Sequence, residues 1–428
     1  MERQEPRKLK RSIGLWSAVA INVGAIIGGG IFVVTGIVAG YAGSALVVSM
    51  FIAGVIAFIT ALSFARLTAW QPVEGSVYEF GRQLISPYVG FLAGWMWMAA
   101  NAFGGAAVSL GFAYYLSAAF PGLPTSYVAA ALCLVFTALN LVGARESAGV
   151  NNILVAIKLA VLAFFVIFGV FHVNSINFYP FNPLTSGVLY GAFFIFFAYG
   201  GFARAAVVAE EVKNAKRNVP RAMLLSVGIS MVVYVLVGLV AVGLLGPNGL
   251  SNSSSPLSAA MEVTGSLLAV QIIAVGGLVA TASVLLTSIL GVSRMAYSMA
   301  RRNDLPSSLS RLHNKFLTPY WAILVSGFSM ALLVLFVDLT QVVAISTFAL
   351  LFYYSTTNLA ASRLKNGYRS GIQKVLPLLG LTSCLLLFVV VLFVSPQAWL
   401  VGVVFLLVGL VYYTIKEKLK REHEKKLV

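Results

Sequence analysis

Long apolar runs separated by short polar segments dominate this chain of 428 residues. The runs cover 15–40, 44–67, 88–118, 126–143, 151–171, 186–211, 221–245, 266–300, 320–337, 341–362, 375–394 and 398–415. A helix of about 20 apolar residues crosses the roughly 30 Å of hydrocarbon in a bilayer. Soluble domains carry about 25% charged residues, whereas this chain has 10% charged and 60% hydrophobic residues, with mean hydropathy +0.93. The pattern predicts an all-α polytopic membrane protein with twelve transmembrane helices.

Charge gives that reading an orientation. Of 29 Lys and Arg, 27 fall in the N-terminal tail, the C-terminal tail and alternate loops: 66–87, 144–150, 210–221, 294–318 and 363–374. The loops between, near 119–125, 172–185, 246–265, 338–340 and 395–397, have none. Cytoplasmic loops retain Lys and Arg, so both termini are expected to be cytoplasmic in a cell (plasma) membrane protein. The net charge of +16 is then a consequence of topology, and nucleic acid is not expected as a partner. The basic start of the chain (Arg3, Arg7, Lys8, Lys10, Arg11) leads into the first run without an evident cleavage site, as in a retained signal-anchor. Two lobes stand out from the spans. Residues 69–87 are polar and Tyr-bearing and are expected at the cytoplasmic surface, while 247–265 is expected to cover the outer mouth. Asn252-Ser253-Ser254 is a glycosylation sequon, a triplet common by chance.

Two runs are poor helices. The first contains Gly24-Ala25-Ile26-Ile27-Gly28-Gly29-Gly30-Ile31-Phe32, and the sixth contains Phe196-Phe197-Ala198-Tyr199-Gly200-Gly201-Phe202-Ala203-Arg204. Each interior glycine costs a helix about 1 kcal/mol relative to alanine. Glycine also serves close helix packing, but packing needs small residues at four-residue spacing, so a triple run fits local unwinding better. Gly-interrupted spans at corresponding positions in two halves point to a transporter binding site. Here they open two sets of five spans, 15–171 and 186–362. Five is odd, so the second set is inverted relative to the first. The expected architecture is a 5+5 inverted repeat plus two helices at 375–415, with tails at 1–14 and 416–428.

Unwinding has a chemical use. After Gly28–Gly30 an outer half-helix starts with unpaired N–H groups and a positive dipole end, suited to a carboxylate. Carbonyls freed at Ile26, Phe197, Ala198 and Gly200 suit an ammonium group. Backbone alone then selects the head group of an α-amino acid. Tyr199, in the same string, and Asn101, in a Gly-rich stretch of span 3 with Gly104 and Gly105, complete the candidate pocket. The glycines suggest a roomy floor and neutral substrates of moderate or large size.

At these residues the chain resembles the amino acid–polyamine–organocation (APC) superfamily of secondary transporters. The string from Gly24 to Phe32 is similar to that family's first-helix motif. Residues 196–202, followed by Ala209-Glu210-Glu211-Val212 and Asn218-Val219-Pro220-Arg221, resemble its sixth helix and next loop. Ala296-Tyr297-Ser298-Met299-Ala300-Arg301 with Asp304-Leu305-Pro306 resembles the end of its eighth. The resemblance implies the 5+5 inverted repeat of the leucine-transporter type, with two helices appended, and a small-molecule amino acid substrate. It also implies donation from Gly29 and Gly30 to the substrate carboxylate, amine reception at Ile26, Phe197, Ala198 and Gly200, and Phe197 as an aromatic gate. Two departures limit the carry-over: Gly29 where many relatives have Ser or Thr, and Ala203 where several have a polar or acidic residue. A cationic-substrate preference is therefore not transferred.

Lys158 and Arg204 are the two cations within apolar runs. An intramembrane ionisable group is costly and marks a functional site by default. Lys158 lies about seven residues, or roughly 10 Å, inside its span, so its ammonium either snorkels to the interface or stays buried. Burial disfavours the charged form, so a buried lysine can release and regain a proton near neutral pH. In proton-coupled members of the superfamily a fifth-span lysine stands where sodium sits in sodium-coupled relatives. By that resemblance its partners are the carbonyl near Gly24 and Ser283, with Thr287 one turn along. Arg204 keeps its charge. It is expected to act as an inner latch with Glu210, Glu211 or Glu79, or to touch substrate and favour acidic side chains.

The functions left open are a proton-coupled amino acid permease working by alternating access, an obligate exchanger of amino acids or amines, and a sensor that binds without flux. Neither an enzyme nor an ATP-driven pump is expected, since there is no catalytic constellation and no P-loop. Cys133 and Cys384 sit in apolar runs, and His172, His313 and His423 do not cluster, so no metal or other cofactor is expected. Protons and membrane lipid are the remaining expected partners, with no obligate protein partner evident.

Overall fold

The computed structural model describes residues 13–72, 75–143, 148–207, 212–364 and 371–427. Among them the secondary structure is helical, apart from one parallel bridge between Ile13 and Val212. The helices are α1 (Leu15–Ile26), α2 (Thr35–Ala42), α3 (Leu46–Trp70), α4 (Ser76–Leu84), α5 (Pro87–Ala119), α6 (Thr125–Leu141), α7 (Ala148–Gly169) and α8 (Ser186–Tyr199). There follow α9 (Arg204–Val207), α10 (Ala215–Ser251), α11 (Pro256–Glu262), α12 (Leu267–Arg301), α13 (Tyr320–Phe336), α14 (Leu339–Ser362), α15 (Gly371–Val394) and α16 (Pro396–Leu427). Nine helical stretches among the described residues are long and apolar enough to cross a membrane, and α6 and α13 are shorter apolar helices. This is a multi-pass membrane protein.

The first of the nine stretches, Leu15–Trp70, is not one rod. It is interrupted after Ile26, rewinds as a π-helical turn over Gly30–Val34, and bends again at Gly43 (φ +58°). α10 likewise leaves helical geometry at Gly246 (φ 73°, ψ 164°), just before Pro247. A proline removes a backbone donor and clashes with the preceding turn, so this apolar run ends near 245, as its sequence pattern predicts.

The helices pack as two groups. α1, α2, α3, α8 and α10 lie against one another, and so do α5, α6, α12, α13 and α14. α7 bridges them through α1, α10 and α12, while α15 and α16 lie along α14. The polar lobe 69–87 supplies α4, which packs against α5 and α14. The lobe 247–265 supplies α11, which lies against α2, α10, α12 and the π-helical turn. It therefore lies over the part of the first span that follows its break.

At the end of the bundle where α4 lies, one carboxylate gathers three donors, two from α4 and one from the last helix. Asp304, buried, accepts from Tyr78 Oη at 2.5 Å, Arg82 at 2.8 Å and Lys416 Nζ at 2.6 Å. Burial, and then the hydrogen bond to Asp304, hold the Tyr78 phenol well above the usual tyrosine range, so it remains a donor. Beside it Arg302 pairs with buried Glu79 at 2.8 Å. A buried carboxylate is tolerated only when paired and hydrogen-bonded, and these pairings tie α4 and the end of α12 to the last helix.

Candidate substrate site

The broken first span and its partner cross at close range, and two glycines allow it. A Cβ on Gly30 would stand 2.6 Å from Ala198 Cβ and 2.7 Å from its Cα. Gly201 has φ +114°, and a Cβ there would stand 2.8 Å from the Ala25 carbonyl oxygen. The second break runs from Gly200 to the start of α9 at Arg204, and the first from Ile27 to Gly29. π-helical turns of the kind at Gly30–Val34 occur often at functional sites.

Between the two breaks, α5, α12 and α14 lies a cavity of about 530 Å³ of space not filled by atoms, counting the part that opens to solvent. Ile26, Gly28, Gly29, Gly30, Asn101, Phe197, Ala198 and Gly200 all line it, as do Arg204 and Tyr353. Tyr199 does not. Its ring packs on Tyr234, and its hydroxyl donates to the Met50 carbonyl at 2.9 Å, because the helical turn before the break points it into the α3–α10 side. Phe197 is half-buried at the cavity wall, its ring near Gly104 of α5.

The freed carbonyls already hold donors. Tyr234 of α10 directs its single hydroxyl at both breaks, 2.7 Å from the Ile26 carbonyl oxygen and 3.0 Å from that of Ala198. Gly28 N also donates to Ile26 at 2.9 Å, and Gly200 N to Phe197 at 3.0 Å. Asn22 Oδ1 of α1 accepts from Ala205 N at 2.7 Å, which caps the helix resuming after the second break. The two interrupted spans are thus bolted together by Tyr234 and Asn22. Neither carried a sequence signal, since a tyrosine or asparagine in an apolar run has no distinctive spacing.

Lys158 is 2% exposed, and its Nζ donates to the Gly24 carbonyl at 3.1 Å. Its ammonium is held inside the protein and does not snorkel. Ser283 Oγ donates to Ala280 at 3.1 Å, and Thr287 Oγ1 to Ser283 and Val284 of its own helix at 3.2 and 3.0 Å.

The described contacts of Arg204 do not include Glu79. Glu79 is engaged by Arg302, and Glu210 and Glu211 lie outside the described residues. The guanidinium turns into the cavity, donating to Asn101 Oδ1 at 2.7 Å and to the Thr287 carbonyl at 3.2 Å, 5.8 Å from the Trp97 ring. A Cβ on Gly291 would stand 2.4 Å from its Nη1, so that glycine makes room for it on α12.

Paired broken helices around a backbone-lined cavity in a multi-pass bundle define a membrane transporter. The amino acid permease family matches residues 13–415, and the chain belongs to that family. It is 36% identical over 389 residues to an uncharacterized transporter of Mycobacterium tuberculosis, covering 90% of this chain and 87% of the relative. It is 30% identical over 447 residues to the branched-chain amino acid permease BcaP of Bacillus subtilis, with 98% and 95% covered. The methylthioribose transporter of the same organism is 29% identical over 445 residues, with 97% and 95% covered. The chain is a permease and not an enzyme.

Proposed function

We propose that this permease takes up amino acids by proton-coupled alternating access, with twelve spans in a 5+5 inverted arrangement plus two and both termini on the cytoplasmic side of the plasma membrane. The substrate head group lies between the breaks. Its carboxylate meets the N–H groups of Gly28–Gly30, and its ammonium meets the carbonyls of Ile26, Phe197, Ala198 and Gly200. Phe197 closes over it. The similar proteins are named for different substrates, methylthioribose and branched-chain amino acids among them.

The observation that carries the coupling is Lys158, buried with its Nζ on the Gly24 carbonyl. When protonated, its ammonium ties α7 to α1 just ahead of the first break. Loss of the proton removes the charge and weakens that tie, which frees the first break to move with α8 and α10. Twelve spans follow if Leu15–Trp70 crosses twice and both shorter apolar helices cross once.

The test is uptake of a mixed radiolabelled amino-acid pool into proteoliposomes with an inward proton gradient, with no gradient, and with amino acids preloaded inside. Gradient-driven accumulation that Lys158→Ala abolishes supports symport. Flux only into preloaded vesicles, indifferent to pH, makes the protein an exchanger and Lys158 a strut.

A further inference from the structure

Arg204 is a full positive charge at the wall of the substrate cavity, and its described partners are all neutral. A guanidinium offers five N–H donors; two are used, by Asn101 Oδ1 and the Thr287 carbonyl. The guanidinium carbon lies over the Trp97 ring, 5.8 Å from its centroid. No carboxylate pairs with Arg204 among the described residues, and no Asp or Glu lines the cavity. A buried charge is ordinarily paired or coordinated, and arginine in a membrane is expensive even at a protein-lined site. The chain nevertheless builds a place for it. Gly291 clears space on α12, and Asn101, whose Nδ2 is fixed on the Trp97 carbonyl at 2.9 Å, presents its oxygen to the guanidinium.

Resting on the amino-acid reading above, we infer that Arg204 receives an anionic side chain and that the permease prefers dicarboxylic amino acids. The head group occupies the backbone sites at the breaks. The distal carboxylate then meets the three N–H groups that Asn101 and Thr287 leave over. Planar guanidinium and carboxylate match in a bidentate fork, which an ammonium or an amide cannot reproduce. The substrate thereby supplies the counter-charge that the described lining lacks. This replaces the neutral substrate expected from the glycines of span 3 and of the breaks with an anionic one.

The deciding comparison is between acids and their near-isosteric amides. Thermal stabilisation of the purified protein is measured with L-glutamate, L-aspartate, L-glutamine, L-asparagine, L-leucine and L-arginine, on the wild type, Arg204→Lys and Arg204→Gln. In the wild type the acids are expected to reach half-maximal stabilisation at concentrations about tenfold or more below their amides. Arg204→Gln is expected to erase that ratio, and Arg204→Lys to keep the sign with a smaller ratio. Amides equal to acids in the wild type, or a ratio that survives in Arg204→Gln, overturns the proposal. Stabilisation by leucine or arginine without any by the acids overturns it and leaves amino-acid binding standing. Stabilisation by none of the six overturns the amino-acid reading, and the proposal with it. Should Arg204→Gln fail to melt cooperatively, the wild-type ratio and its reduction in Arg204→Lys decide the matter alone.

Discussion

The two helix breaks face one cavity but are held differently. The first, at Ile27–Gly29, is narrow and resumes at once as a π-helical turn, with every residue from Ile26 to Val34 buried. Its neighbouring carbonyl at Gly24 is held by Lys158, a group that can exchange a proton. The second, at Gly200–Ala203, is wider, contains the left-handed Gly201, and leads directly into Arg204, whose charge is permanent. Between them stands one phenol, Tyr234, reaching both. The difference lies in what stands beside each break: a buried amine on a neighbouring carbonyl at the first, and a guanidinium at the cavity wall at the second.

The most severe way to break this arrangement is at the crossing itself. In Gly201→Ala the left-handed backbone alone costs roughly 1–2 kcal/mol, and the new methyl meets the Ala25 carbonyl, which cannot step aside. Loss of cooperative melting, or the largest fall in melting temperature of any variant here, is the expected result in a thermal scan. A wild-type scan would show the crossing to be loose.

Lys158→Met is expected to abolish proton-driven accumulation while changing stability much less, because replacing a buried charge with an apolar side chain of similar volume is often neutral. Ligand affinity measured across pH 5–8 should lose its pH dependence in this variant and keep it in Tyr234→Phe. Equal pH dependence in Lys158→Met and wild type would remove the titratable hold from the first break.

Tyr234→Phe removes the one donor that both breaks share. The expected loss is about 1–3 kcal/mol, since the Ala198 carbonyl then loses its phenol donor and that of Ile26 keeps only Gly28 N. Amino-acid affinity should shift with it, which thermal stabilisation reads directly. Asn22→Ala is the smallest expected effect, about 1 kcal/mol, the value of a helix cap. It should lower the melting temperature and leave the acid-to-amide ratio untouched, because Asn22 holds the backbone after Arg204 and touches no cavity atom.

The breaks, and with them most of the cavity wall, were legible in the sequence because glycine runs in an apolar span conflict with helix propensity. Lys158 and Arg204 were legible because a lone cation in such a span is costly. What they bond was not. The Lys158 bond to Gly24 had only a resemblance behind it, and the asparagine and carbonyl that Arg204 donates to had no sequence signal. Tyr199 and Tyr234 show the limit most clearly. Both are tyrosines in apolar runs, yet one turns from the cavity to Met50 and the other joins the breaks, and only the packing of α3 and α10 distinguishes them. Helix count also has a physical limit, since α6 and α13 are 17 residues long and Leu15–Trp70 runs on through its bends.

The carboxylate of Asp304 has a consequence for the order in which the molecule is made. Tyr78 and Arg82 are synthesised well before it, but Lys416 comes 112 residues after it. While the ribosome is still producing α13 to α16, that acid has part of its set of partners and no covering last helix. This end of the bundle therefore closes only when translation has passed residue 416. A chain stopped short of that lysine carries an incompletely matched acid at its surface, a defect that a membrane protease or chaperone can recognise.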